Sequence, residues 1–216
     1  LVAVTHVSNV LGTVVPVEEV AEIAHEHGAL LLVDAAQSVP HLRVDVRRLS
    51  CDFLAFSGHK MCGPCGSGGL FISREAWTEL DPLYVGGGTV EHVELGGFTL
   101  KEGPGRFEAG TPCIAEAVGL RRAVEYLSEL GMEAVEAHEA KLAERIYEGL
   151  REVEDIEVYG PEPRRKLSIT SFNVRGLDPH EVALMLDAAK HIAVRSGMHC
   201  AEPLVRGFLG LERGTV

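Results

Sequence analysis

The run ALLLVDAAQ, residues 29–37, most narrows the folds open to this chain. It is apolar without alternation up to Asp34, and it is too short to be a helix buried all round. A strand of this kind is buried on both faces, as in parallel sheets covered by helices. A helical pattern precedes it: Pro16 opens the segment, Val17, Val20, Ala21 and Ala24 share one face, and Gly28 closes it. LVAVTHVSN (1–9) reads as a strand before that helix, and CDFLAFSGHK (51–60) and GSGGLFISR (66–74) read as two strands after it. Strand, helix and strand at these spacings predict an α/β sheet that is mostly parallel.

Beyond residue 80 the pattern changes. Residues 81–115 are rich in Gly and Pro, and a loop region of this length inside a compact protein is usually functional or an interface. Residues 115–152 predict one or two helices with a break near Gly131, because Ala117, Leu120, Val124 and Leu127 recur at helical spacing. Residues 156–216 predict a smaller α+β unit, with strands LSITSFNVR (167–175) and HIAVRSG (191–197) flanking a helix that begins near Pro179. A boundary near residue 128 divides the chain into 1–127 and 128–216. The first residues read as a strand met mid-protein and the last ones stop without a cap, so a fragment of a longer chain is expected.

Charge and cysteine usage exclude several classes. A net charge of −12, from 32 acidic and 20 basic residues, repels phosphate backbones and argues against nucleic-acid binding. The basic run Arg164, Arg165, Lys166 reads as a solvated loop. No apolar stretch reaches the roughly 20 residues that span a bilayer, so no membrane role is expected. An odd number of cysteines (Cys51, Cys62, Cys65, Cys113 and Cys200), with no secretory signal, points to reduced thiols and a cytoplasmic setting.

Chemistry is expected at the strand ends, where α/β sheets gather ligands. Asp34 ends the LLLV run, and a buried carboxylate there needs a cation such as a protonated pyridine nitrogen, or else caps a following helix. Gln37 lies three residues on. Lys60 follows the next strand in SGHK, where an amine kept partly neutral forms a Schiff base, and Ser57 and His59 offer donors to a phosphate. Cys200 follows Arg195, Gly197 and His199, and a nearby guanidinium or imidazolium would favour its reactive thiolate. The remaining pair, Cys62 and Cys65 in CGPC, reads as small residues packing a glycine-rich turn, with redox or metal chemistry as the alternative.

HVSNVLGT (6–13), VDAAQSV (33–39), FSGHKMCGPCGSG (56–68), RFEAGTP (106–112) and RSGMHCAEP (195–203), taken together and in this order, resemble the fold-type I, class V aminotransferase family. Within it they are similar to the SufS-like (group II) cysteine desulfurases. The resemblance implies pyridoxal 5′-phosphate as cofactor, bound in a large domain with a mostly parallel sheet, and a smaller α+β C-terminal domain. It implies that Lys60 holds the cofactor and shuttles a proton. It pairs Asp34 with the pyridine nitrogen and Gln37 with the phenolic oxygen, and it places Asn9 near that oxygen and the substrate carboxylate. Ser57 and His59 become phosphate contacts, Thr111 reaches the phosphate of a partner subunit, and Arg195 lines the substrate site. Cys200 becomes the nucleophile that takes sulfur from L-cysteine, leaving L-alanine.

The same resemblance implies a homodimer, a sulfur acceptor of SufE or SufU type, and iron–sulfur cluster assembly as the process served. The sequence departs from the family pattern at Met198, where a second His is common. It also lacks the family's N-terminal glycine-threonine phosphate loop, the His that stacks on the ring, and a distal substrate-carboxylate Arg. Selenocysteine lyase, cysteine-sulfinate desulfinase and aminotransferase remain alternatives within the family, and a non-catalytic interaction module is one outside it. A dinucleotide-binding oxidoreductase is disfavoured, since no G-x-G-x-x-G follows a strand.

Overall fold

The computed structural model describes residues 1–216. Its main sheet has four strands in the order β1 (Val2–Thr5), β2 (Leu31–Asp34), β3 (Phe53–Ser57) and β4 (Gly68–Ile72). The first three are parallel, with Thr5 opposite Asp34 and Asp34 opposite Ala55. β4 returns antiparallel, with Ser57 opposite Gly68. Helix α1 (Val17–Glu26) makes the crossover between β1 and β2 and buries Val17, Ala21 and Ala24, as its periodicity predicts. Val17 and Ala21 pack with Leu31, Val33, Leu54 and Cys51, and Leu49 of the short α2 (Val46–Leu49) joins the cluster. Leu31 and Val33 are fully buried while Leu32 is half-buried, so burial on β2 alternates where the apolar run predicts both faces covered.

Asp52 fastens this core. Its Oδ2 accepts hydrogen bonds from Leu31 N at 2.8 Å and from His25 Nε2 at 2.9 Å, which joins α1, β2 and the start of β3 through one carboxylate.

Residues 81–113 are not all loop. β5 (Val90–Glu94) and β6 (Gly97–Leu100) form a hairpin, visible in retrospect as alternation either side of a Gly-Gly turn. α3 (Ile114–Leu130) and α4 (Met132–Arg151) meet at Gly131, whose φ of 80° is left-handed and open to glycine, so the predicted break is observed. Residue 128, the expected boundary, lies in the last turn of α3. β7 (Ile156–Tyr159) and β8 (Ser171–Val174) pair antiparallel, and α5 (Pro179–Lys190) follows with a capping box from Asp178 and Glu181. HIAVRSG is not a strand. A strand needs a neighbouring strand for its backbone groups; here His191 N and Ile192 N bond back to α5, and Gly197 alone forms a bridge, with Thr215. No helix is long and apolar enough to cross a membrane.

The C-terminal residues dock on the loop that follows β1. Leu167 N bonds Gly12 O at 2.9 Å, and Ser171 Oγ donates to Val10 O at 2.7 Å. Glu139 of α4 receives His41 Nδ1 at 2.9 Å and Ser168 Oγ at 3.0 Å. This docking carries the segment after α5 to the carboxyl edge of the sheet.

Candidate active site

Three parallel strands end side by side, and each is followed by residues singled out in the sequence. Asn9 follows β1, Asp34 closes β2 with Gln37 just beyond, and Ser57, His59 and Lys60 follow β3. The in-register pairing makes this convergence unavoidable, since the ends of adjacent parallel strands share one edge.

Asp34 differs from its expected setting. It is exposed rather than buried, and no helix follows for it to cap. Its Oδ1 accepts from Ala36 N at 2.9 Å, which closes a local turn and fixes the carboxylate's direction while Oδ2 stays free. Lys60 is also exposed, at the end of the short turn Gly58–Lys60, and forms no hydrogen bond or ion pair.

Glycines shape the turn that bears Lys60. Gly58 O accepts from Gly63 N at 2.8 Å, and Gly58 N donates to Ser67 O at 2.8 Å, so both flanks of the loop close on one residue. A Cβ on Gly58 would stand 2.0 Å from Ser67 Oγ, and one on Gly63 would stand 2.8 Å from Gly58 O. Only glycine allows this approach.

Cys200 reaches the site from the far end of the sequence. Ala201 N bonds Met198 O at 2.8 Å across a tight turn whose two central residues, His199 and Cys200, have φ of 52° and 59°. Two positive φ values in succession mark a type I′ turn, here built without glycine. The turn is held on two sides. Asn9 Nδ2 donates to His199 O at 2.6 Å, which ties it to the end of β1. His199 Nε2 lies 2.8 Å from Thr215 Oγ1 and 3.1 Å from Thr215 O, which ties it to the residues that pair with Gly197. Cys200 itself is exposed, and Arg195 Nη2 donates to its Sγ at 3.5 Å.

That geometry sets which side chain meets the Cys200 sulfur. His199 is buried, and burial is the main cause holding its imidazole below the usual value. The bond to Thr215 opposes that shift, and the Arg195 charge adds to it. The His199 ring is engaged with Thr215, and the guanidinium of Arg195 is the group that contacts the sulfur. Thr215 went unrecognised in the sequence, because its link to His199 has no local signature. Asn9, Gln37, Arg195 and His199 line one cavity of about 310 Å³, together with Ile169 to Phe172, Val194 and Val216. Of the other expected contacts, Thr111 lies exposed ahead of α3 and shares no hydrogen bond with this group. Cys62 and Cys65 are both exposed, so they do not pack the turn as expected.

A free amine, a fixed carboxylate and an amide stand at adjacent strand ends of an α/β fold, and Asn9 ties the turn that bears Cys200 to the same edge. The chain belongs to the aminotransferase class V family, whose model matches residues 1–213. A probable cysteine desulfurase of Halalkalibacterium halodurans is 50% identical over 206 residues, covering 95% of this chain and 50% of that protein. The apo structure of a cysteine desulfurase from Thermococcus onnurineus superposes with a TM-score of 0.94 at 48% identity, covering 99% of this chain and 53% of the other. A C-DES mutant with glycine covalently linked to its PLP cofactor superposes with a TM-score of 0.80 at 27% identity, covering 90% and 52%. The chain thus spans about half the length of the curated relatives it matches.

Proposed function

We propose that the protein is a pyridoxal 5′-phosphate-dependent cysteine desulfurase that converts L-cysteine to L-alanine and takes the sulfur onto Cys200 as a persulfide. The observation that carries this reading is the braced turn: Cys200 stands beside Arg195 at 3.5 Å, and its neighbour His199 is hydrogen-bonded by Asn9 at the strand-end edge. An aminotransferase has no use for a thiol presented in this way.

The residues fit the cofactor. Lys60 is an unpaired amine, Asp34 keeps one carboxylate oxygen free, and Ser57 and His59 stand beside Lys60 as phosphate donors. Asn9 and Gln37 line the adjoining cavity. When bound, the protonated ring supplies an electron sink for the substrate's α-carbon. Asp34 holds the proton on the ring nitrogen, and Lys60 moves the proton at the α-carbon. The Cys200 thiolate attacks the substrate sulfur, so an S–S bond forms as the substrate C–S bond breaks, and the carbon fragment takes up a proton and leaves as alanine. Arg195 contacts the Cys200 sulfur and lines the cavity that would take the substrate.

The fuller reading places residues 1–127 in a cofactor-binding large domain, with Thr111 reaching toward a partner subunit's site, and residues 128–216 in a smaller domain. The protein works as a cytoplasmic homodimer and passes sulfur to a SufE- or SufU-type acceptor for iron–sulfur cluster assembly. Five free cysteines agree with a reducing compartment.

The test uses the full-length protein with L-cysteine, following alanine release and persulfide by mass spectrometry. Lys60→Ala is expected to slow alanine release by roughly 10²–10⁴-fold. Cys200→Ala is expected to abolish the persulfide and alanine release together. Wild-type alanine release from Cys200→Ala would end the desulfurase reading.

A further inference from the structure

Two residues beyond Lys60 the chain reads Cys62-Gly63-Pro64-Cys65, a dithiol spacing that the proposed reaction does not use. Gly63 N and Ser67 O both bond Gly58, so the segment between them is a closed loop and cannot extend. Ser67 Oγ donates to Pro64 O at 2.7 Å and draws the loop in further. Its middle is docked on α3: a Cβ on Gly119 would meet Pro64 Cγ at 2.9 Å, and one on Gly63 would meet Leu120 Cδ1 at 3.2 Å. The two cysteines flanking that docked pair are both free and exposed. Cys62 has a φ of 64°, which turns the chain sharply between Met61 and Gly63. The arrangement is a rigid Gly-Pro platform with a thiol at each end and solvent over both. No third His, Cys, Asp or Glu completes a metal set with them.

We propose that Cys62 and Cys65 form a dithiol–disulfide site that exchanges with low-molecular-weight disulfides such as oxidised glutathione. The inference stands on the turn alone and does not depend on the cofactor reading. One thiolate attacks the small disulfide, whose S–S bond breaks and releases one thiol. The second cysteine then attacks the mixed disulfide and releases the other thiol. Two protein thiols and one disulfide become one protein disulfide and two small thiols, so the protein is oxidised and the glutathione disulfide reduced. A pre-closed loop favours the second step, because little chain entropy remains to be lost on ring closure. Exposure matters equally, since a buried thiol such as Cys51, whose pKa burial raises, is out of reach of the oxidant.

The test equilibrates the full-length protein in glutathione buffers of rising oxidised-to-reduced ratio, alkylates free thiols, and maps each cysteine by mass spectrometry. The expected result is joint loss of the Cys62 and Cys65 thiols, with one peptide carrying both cysteines and lacking two hydrogen atoms. Cys62→Ser and Cys65→Ser are each expected to leave the remaining cysteine as a stable glutathione adduct. Independent adducts on the two cysteines of the unaltered protein would overturn the proposal, as would persistence of both thiols. A bridge from either cysteine to Cys200 or Cys113 would overturn it as well.

Discussion

Left-handed backbone costs a residue with a side chain about 1–2 kcal/mol, and the structure spends that on His199 and Cys200 in succession. Strain of this kind persists only where the surroundings over-determine it, and both neighbours of the turn do so, through Asn9 and Thr215. Cys200 is fixed and exposed, and its Sγ accepts from the Arg195 guanidinium at 3.5 Å. Arg195→Met should lower the rate at which iodoacetamide captures Cys200 by about two- to fivefold at fixed pH, the range an exposed charge contact supplies. An unchanged rate would remove Arg195 from that role. Cys200 was singled out by the resemblance of RSGMHCAEP to the family, since Arg, Gly and His before a cysteine leave a buried inert thiol equally open. The bracing of His199 was not legible, since it rests on Thr215, sixteen residues away.

The strands and helices that carry the site were mostly legible, and for physical reasons. A buried strand has no alternation to hide its ends, so Asp34 and Ser57 could be placed at strand ends without coordinates. α5 was legible because Asp178, Pro179 and Glu181 write its start locally. HIAVRSG misled because β-branched composition describes what a strand can contain, while pairing decides whether it forms. The β5–β6 hairpin was hidden by its own glycines, which read as loop. The β3–β4 connection yields a sharper expectation. Gly58→Ala pushes a Cβ into Ser67, whereas a Cβ on Gly66, at φ 80°, meets open space. Chemical denaturation should show Gly58→Ala losing about 1–3 kcal/mol, as overpacked sites do, and Gly66→Ala losing about 1–2 kcal/mol from backbone strain alone. The Gly58 variant should also trap less cofactor on Lys60. Equal losses and equal trapping would mean that the loop does not close on Gly58.

Across the whole molecule, two buried histidines set the acid limit. Burial is the main cause lowering both His6 and His199, and Glu18 partly offsets it at His6. His6 Nδ1 is buried without a hydrogen-bond partner, so the Glu18 charge alone offsets the cost of protonating it. The folded protein therefore binds fewer protons than the unfolded chain below the usual histidine value of 6.5. Their contribution to stability is present above that pH and is lost as pH falls from it through the lowered folded values. Thermal unfolding should show Tm falling as pH drops below 6.5, with a shallower fall in His6→Gln and His199→Gln. A Tm that rises on acidification over that range would contradict the assignment. Burial also lowers Lys166 from its usual value.

The two-sided hold on residue 199 has a mechanical meaning. Its carbonyl is bolted to the end of β1 and its ring to Thr215, so it acts as a fixed pivot one residue from the sulfur. A thiol on such a mount can swing by rotation of its own side chain, and its arc is no longer than that side chain. It cannot ferry cargo across the surface on a travelling loop. Any group that reacts with the Cys200 sulfur must therefore come to the turn itself.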